Sequence, residues 1–331
     1  MSKIQKIIEN TNNSHVVLLK SQKFDFLPPK PILKWVGGKT QILEKIIGEF
    51  PKKINNYHEI FVGGCSVLFA ILYLQQNNII DISGTVNAYD LNLNLINMYN
   101  VIQTKPLELY KQIKSLINDY TSIEDNDDIK NKKPTNRDEG MTSKESYYYW
   151  VRKQYNTKPS GKNKPADLIK YSSMFIFLNK TCFRGLHRVG PNGFNVPYGN
   201  YKNPSIIDKE HLMEISKLIK NVNFHHMDFS ESLKKPVSND FIYMDPPYAP
   251  ENDKSFVSYT DGCFDVDKHL ELFNKCNELK KSKINFMISN SDVELVRSNF
   301  VGYSIESIDC KRSINSKNPG SKTKEVIIKS Y

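Results

Sequence analysis

Asp245-Pro246-Pro247-Tyr248 is the stretch of the chain best equipped for chemistry. Two consecutive prolines fix the backbone and withhold amide donors, which leaves the Pro246 carbonyl available to a site. A carboxylate, a rigid carbonyl and an aromatic face together suit a planar base that carries an amino group. Asp245 and the Pro246 carbonyl can accept both amino hydrogens, and Tyr248 can stack on the ring. The same residue types also make simple turns. Their position argues against that reading, because they follow the apolar run Asp240–Met244, expected to be a strand. In open α/β sheets, ligands bind beyond the carboxyl ends of strands.

Four further features could hold a nucleotide-like cofactor. Phe61-Val62-Gly63-Gly64 follows a short strand over Tyr57–Val62. Glycines there let a ligand approach the backbone, although an ordinary strand-to-helix connection would look the same. Asp90 ends a second strand over Thr85–Tyr89, where an acid can accept from ribose hydroxyls or cap the next helix. Asp228, after a strand over Val222–His226, raises a similar pair of readings: an adenine amino contact or a helix cap. In Lys34-Trp35-Val36-Gly37-Gly38-Lys39, Trp35 could cover an adenine or methionine moiety and Lys39 could meet a carboxylate. A core tryptophan beside a surface turn is the alternative. The chain has neither a dinucleotide fingerprint nor a phosphate loop of the GxxxxGK[ST] kind, which disfavours ATP hydrolysis.

Asn179 to Arg188 interleaves basic groups with Phe183 around Gly185, then leads to Phe194-Asn195-Val196-Pro197-Tyr198-Gly199. Arginine pairs bidentately with guanine, a contact worth roughly 1–3 kcal/mol of discrimination, and Phe183 could wedge beside a displaced base. A solvated basic loop is the plainer reading. His187, His225 and His226 read as structural.

The elements that must position these groups alternate. Strand, glycine turn, helix (Val67–Leu74), strand, acid and helix open a nucleotide-binding α/β unit. Thr40 is the expected N-cap of a helix running to Phe50. Helices are expected over Leu107–Ile117, Tyr147–Tyr155 and Asp167–Leu178, interrupted by the charged Asp125–Glu139, expected to be a flexible loop. The α/β pattern resumes with a helix over Lys268–Lys280, a strand over Ile284–Ser289, and closing antiparallel strands over Ser304–Ile308 and Glu325–Ile328. The expected organisation is an N-terminal tail over 1–30, a catalytic, cofactor-binding domain over 31–104 and 205–331, and a mostly helical insert over 105–204.

The chain has 331 residues and a formal net charge of +10. That balance favours a polyanionic partner, although an abundance of Asn, Ile and Lys can make part of it compositional. No apolar run suits a bilayer span, and no secretory signal opens the chain, so an intracellular setting, cytoplasmic or nucleoid-associated, is expected. The five cysteines are scattered, with no metal-ligand spacing, so no metal is expected.

Taken in order, these motifs resemble the Dam-type DNA adenine-N6 methyltransferases, the alpha-ordered group. The resemblance runs from about Pro31 to Tyr331 and adds Ile288-Ser289-Asn290 and Lys311-Arg312-Ser313-Ile314 to the motifs above. It implies a Rossmann-like methyltransferase sheet with helices on both faces and a helical target-recognition insert. It implies S-adenosyl-L-methionine as cofactor, with Trp35, Gly38, Lys39, Phe61, Gly63, Gly64, Asp90, Asp228 and Asp245 at cofactor positions. Asp245, Pro246, Pro247 and Tyr248 fall at catalytic positions. Phe183, Arg184, Arg188, Asn195, Pro197 and Arg312 fall at positions facing double-stranded DNA. Phe183 matches an intercalating aromatic and Arg188 a guanine-reading arginine. GATC is the leading target, and a cognate restriction endonuclease is a possible partner. Two departures stand out: Glu59-Ile60-Phe61 replaces the frequent Glu-Pro-Phe, and Arg184 stands where asparagine is common.

The implied chemistry is direct transfer of a methyl group to the amino nitrogen of a flipped adenine. No Pro-Cys pair is present, which argues against methylation at a cytosine ring carbon. Methylation of the cytosine amino group would use a similar tetrapeptide and remains the nearest alternative. A catalytically silent DNA-binding regulator is the alternative from another class.

Overall fold

Short apolar segments broken by glycine and asparagine build the centre of the protein. The computed structural model describes residues 28–124, 130–157, 165–250, 264–311 and 322–331. In chain order the elements are α1 (Leu43–Gly48), β1 (Lys53–Ile54), β2 (Tyr57–Ile60), α2 (Ser66–Gln76), β3 (Asp81–Ile82), β4 (Val86–Asp90) and α3 (Leu93–Thr104). Then come α4 (Pro106–Ser122), α5 (Arg137–Gly140), α6 (Lys144–Asn156), α7 (Pro165–Thr181), a 3-10 turn over Phe183–Gly185, β5 (Val189–Gly190) and β6 (Gly193–Phe194). The last part holds α8 (Lys209–Leu218), β7 (Val222–His226), α9 (Phe229–Ser232), β8 (Phe241–Met244), α10 (Val266–Lys281), β9 (Asn285–Ser291), α11 (Glu294–Asn299), β10 (Ser304–Lys311) and β11 (Lys322–Lys329).

Seven strands form one sheet in the order β10-β11-β9-β8-β2-β4-β7. β9, β8, β2, β4 and β7 run parallel, and the β10–β11 hairpin closes the edge antiparallel to β9. β2 and β8 are buried along their whole length, as strands covered on both faces must be. One face carries Tyr57, Ala88, Phe241, Tyr243, Met287 and Ile327 against the N-terminal and central helices. The other carries Ile60, Ile242, Met244, Ile288 and Val326 against α9, α10 and α11. The sheet is thus the expected Rossmann-like layer with helices on both faces.

Strand order reverses between β2 and β8. Successive elements run outward from β2 to β4 and β7 on one side, and from β8 to β9 on the other. Tyr57 to Ile60 pair in register with Phe241 to Met244. Phe61–Gly64 and Asp245–Tyr248 therefore leave adjacent strand tips at the switch point, where open α/β sheets bind ligands.

Three local expectations change. Thr40 does not cap the first helix. Residues 39–42 form a turn, with Ile42 N–H donating to the Lys39 carbonyl at 3.0 Å, and α1 starts at Leu43 without a side-chain cap. Residues 125–129 lie outside the described residues, but the rest of the expected flexible loop is ordered. Asn136 Oδ1 caps α5, and Glu139 accepts from Thr135 N–H at 2.8 Å and Thr135 Oγ1 at 2.6 Å. Polar side chains there satisfy backbone groups locally, which a composition argument does not detect. α8 was not anticipated, although Leu212, Ile215 and Leu218 lie on one buried face and Asp208 caps it.

Candidate active site and nucleic-acid face

At the tip of β8, Asp245 is held by Lys39. Its Oδ2 lies 2.7 Å from Lys39 Nζ, and both side chains are largely buried. Lys39 Nζ also donates to the Gly37 carbonyl at 2.8 Å and lies 4.7 Å from the centre of the Tyr248 ring. The Tyr248 hydroxyl donates to Glu325 Oε2 at 2.7 Å, on β11, the strand beyond β9. Asp245 Oδ1 is buried and has no hydrogen-bond partner among the described residues. Burial pushes the Asp245 carboxyl up to about 6, against the downward pull of Lys39 and with a further upward push from the Glu325 charge. An unpaired buried acceptor is costly and marks a place built for a donor.

The next residues are locked to β9. Ala249 N–H donates to Asn290 Oδ1 at 2.9 Å, and Ser291 Oγ donates to the Ala249 carbonyl at 2.5 Å. Asn290 Oδ1 also accepts from Ser291 N–H at 2.9 Å. These bonds fix the exit of the tetrapeptide, so the rigidity of Pro246 and Pro247 is anchored at both ends. Glu59, one residue before the tip of β2, is buried and takes the Tyr57 hydroxyl at 2.7 Å. Desolvation pushes its carboxyl up to about 8, against the downward pull of the Tyr57 hydroxyl.

The glycine turn has a definite occupant. A Cβ on Gly63 would meet Trp35 Cδ1 at 3.0 Å, and one on Gly64 would meet Trp35 Cβ at 3.0 Å. Gly63 also has φ +48, a region in which side-chain-bearing residues are strained. The pair is thus explained by Trp35 lying on the backbone, and Trp35 is half-buried rather than a surface residue. Asp90 Oδ2 accepts from Gly63 N–H at 3.0 Å and Oδ1 from Asn92 N–H at 2.8 Å. The cap of α3 is Asn92, not Asp90, so the capping alternative for Asp90 fails. Desolvation raises the Asp90 carboxyl despite those bonds. Asp228 does cap α9, accepting from Ser230 N–H at 2.9 Å. Phe61, at φ +66, sits 5.7 Å from Phe229 and 5.6 Å edge-on from Phe264. Gly38 N–H donates to the Trp35 carbonyl, closing the turn that presents Lys39.

The basic loop follows α7. Phe183 is exposed, and the Arg184 guanidinium lies 5.2 Å from its ring centre. Arg184 is at φ +55 and its N–H donates to the Tyr201 hydroxyl at 2.9 Å. Arg188 Nε donates to Asn195 Oδ1 at 2.6 Å, while Asn195 N–H donates back to the Arg188 carbonyl at 3.0 Å across the β5–β6 hairpin. The Pro197 carbonyl accepts from Phe183 N–H at 2.8 Å. Phe183 with Pro197, and Arg188 with Asn195, are therefore two hydrogen-bonded pairs in one segment, and Arg184 is tied separately to Tyr201. Arg312 lies outside the described residues. His187 packs 5.3 Å from Trp35, His225 stacks 4.7 Å from Tyr89, and His226 meets the Leu91 carbonyl.

Sequence reasoning missed Glu325, Phe229 and Phe264 as site neighbours, and named Asn290 only within the Ile288-Ser289-Asn290 motif. Phe229 follows Asp228 and was within reach of a motif argument. Glu325 carries no local signal, because only strand pairing brings it to Tyr248.

The strand order and the two loops at its switch point define a Rossmann-like methyltransferase. The chain belongs to the D12 class N6 adenine-specific DNA methyltransferases, whose family profile matches residues 35–314. It is similar to the type II methyltransferase M.MjaIII of Methanocaldococcus jannaschii, at 38% identity over 90% of this chain and 96% of the relative. The type II methyltransferase M1.LlaDCHI of Lactococcus lactis subsp. cremoris is 30% identical over 95% of this chain and 99% of the relative. A DNA adenine methylase of Haemophilus influenzae is 29% identical over 90% of this chain and 92% of its own length. The protein is thus an adenine-specific DNA methyltransferase. No helix among the described residues is long and apolar enough to cross a membrane.

Proposed function

We propose that this chain binds S-adenosyl-L-methionine at the tips of β2 and β4 and methylates the amino group of an everted adenine held by Asp245 and the Pro246 carbonyl. The observation that carries the reading is the buried, unpartnered Asp245 Oδ1 beside the ion-paired Oδ2. Trp35, Gly38, Lys39, Phe61, Gly63, Gly64, Asp90, Asp228 and Asp245 form the cofactor pocket in this reading. Their chemistry fits the cofactor: Phe61 offers an aromatic wall for adenine, and the Asp90 carboxylate is fixed beside the glycine turn for ribose hydroxyls. When bound, S-adenosyl-L-methionine supplies a methyl group activated by a sulfonium.

The protein's part begins with the amino group. Adenine's exocyclic nitrogen is a weak nucleophile because its lone pair is delocalised into the ring. Hydrogen bonds from it to Asp245 Oδ1 and the Pro246 carbonyl favour a tetrahedral nitrogen and stabilise the positive charge that develops there. Asp245 then takes the surplus proton. Pro247 stiffens the corner and Tyr248 covers the base. In the structure the Lys39 ammonium sits between Asp245 and Tyr248, so base entry requires Lys39 to give way. Glu325 holds Tyr248 by its hydroxyl. Glu325→Ala is expected to lower kcat about tenfold, near the loss of one charge-assisted bond, with little change in duplex affinity. Glu325→Gln keeps the acceptor but removes the negative charge, and should shift the acid limb of the kcat profile below pH 6, because the Glu325 charge raises Asp245. An unchanged limb in that variant would reject the assignment.

Residues 105–204 are read as the target-recognition insert. Phe183 fills the gap left by the everted base, and Arg188, oriented by Asn195, reads guanine. Arg184, Pro197 and Arg312 complete the DNA-facing set. GATC is the proposed site, and a cognate restriction endonuclease is the proposed partner, in keeping with the type II names of two relatives. The test is to methylate a mixed pool of duplexes and sequence the modified positions. Adenine methylated within GATC supports the site, and adenine methylated in another sequence rejects it. Arg188→Ala should relax specificity at one base pair by about 1–3 kcal/mol. Cofactor binding without transfer to any duplex would favour a silent regulator.

A further inference from the structure

Asn179 lies in the last turns of α7 and is buried. Its side-chain amide bridges two distant loops. Oδ1 accepts from Lys34 N–H at 2.9 Å, and Nδ2 donates to the Lys34 carbonyl at 2.8 Å. Nδ2 also donates to the Gly185 carbonyl at 3.1 Å. The backbone partners settle which end of the amide is which, since the reverse orientation would set NH2 against N–H and oxygen against two carbonyls.

The partners are the hinges of the two functional loops. Lys34 directly precedes Trp35, which lies on Gly63 and Gly64. Gly185, at φ +66, ends the turn that carries Phe183 and Arg184. The joint is tight as well as hydrogen-bonded: a Cβ on Gly185 would meet Lys34 Cβ at 2.4 Å. A second contact, Trp35 on His187, runs parallel to it, one residue before Arg188. Burying an amide costs free energy unless its bonds are made, and here all of them span the two loops. None serves α7 itself.

We infer that Asn179 is a positioning residue that couples filling of the methyl-donor pocket to the pose of the base-reading loop. Donor and duplex DNA then each bind more tightly when the other is present. The inference rests on the reading of Trp35 as a pocket wall and of Phe183 to Arg188 as the DNA-reading loop. A ligand that settles Trp35 also settles Lys34, and through Asn179 it orders Gly185 before DNA arrives. DNA then pays less to order the loop, and the effect is reciprocal.

The test is fluorescence anisotropy of a labelled duplex carrying the mapped site, titrated with the full chain with and without saturating sinefungin, an unreactive donor analogue. The wild-type protein is expected to bind duplex about 5–150-fold more tightly with sinefungin, the usual range of such couplings. Asn179→Leu keeps the approximate shape of the side chain and makes none of the three bonds. Gly185→Ala pushes Lys34 aside without touching the buried amide. Both should bring the ratio to within about twofold of one when measured below their melting points, which the positive φ of Gly185 and the unpaired Lys34 and Gly185 backbone groups lower, while sinefungin affinity measured alone by calorimetry stays near wild type. Full coupling retained in Gly185→Ala, or in a folded Asn179 variant, overturns the inference, as does a wild-type ratio of one. Failure of the wild-type protein to bind sinefungin at all would instead overturn the pocket reading beneath it.

Discussion

Asp245→Ala is expected to lose methyl transfer by roughly 10²–10³-fold or more in single-turnover rate, the cost of removing one preorganised charge-stabilising group. Duplex affinity should change little, because most of the proposed DNA contacts come from the insert, with Arg312 beyond it. The size of the effect follows from what the residue holds. Oδ1 is a buried acceptor without a partner among the described residues, and Oδ2 is already paired with Lys39. Asp245→Asn separates geometry from charge. It keeps the shape but offers one acceptor and one donor where two acceptors stood, and the Lys39 pair loses its anion. It should be nearly as slow as the alanine variant. Transfer within a few-fold of wild type in either would remove Asp245 from the mechanism.

Lys39→Met should produce the second large effect, and its pH dependence reveals which job Lys39 performs. The sequence places Lys39 where a cofactor carboxylate is expected, whereas the structure pairs it with Asp245. Burial already pushes Asp245 up to about 6 with the ammonium in place. Without it, the carboxyl is buried with its main opposing charge gone, and its pKa rises further. Asp245 must be ionised to accept, so activity exists above its pKa and is lost as pH falls through it. The acid limb of kcat should therefore move from near pH 6 to above neutrality. Transfer at pH 7 then falls roughly tenfold for each pH unit the limb has moved past neutrality, and recovers in mildly alkaline buffer. A rise in cofactor KM with the acid limb unmoved would assign Lys39 to the cofactor alone.

How far the sequence led depends on whether the signal was local. Asp245 to Tyr248 were legible because the tetrapeptide directly follows an apolar run, and β8 is that run. Gly63 and Gly64 were legible as a turn but not as the bed of Trp35, which arrives from a separate segment. For Asp90 two readings stayed open until Asn92 proved to be the cap of α3. Asp228 kept its capping bond, so its reach to a cofactor rests on its remaining oxygen. Asn195 was readable as a DNA contact, yet its first bond orients Arg188. Glu325 and Asn179 were illegible in any window of sequence. Each meets its partner across 77 and 145 residues, through strand pairing and loop docking respectively. α8 shows the opposite failure: its buried face, Leu212, Ile215 and Leu218, is periodic and locally legible.

The central proposal is that the corner at the tip of β8 grips the amino group of an everted adenine. A crystal structure of the protein with sinefungin and a duplex carrying its methylation site tests this most directly. The account predicts one adenine outside the helix, its amino nitrogen about 3 Å from both Asp245 Oδ1 and the Pro246 carbonyl, within ordinary hydrogen-bond range, and Lys39 withdrawn from between Asp245 and Tyr248. An adenine everted into some other pocket, with Asp245 still closed on Lys39, would contradict it.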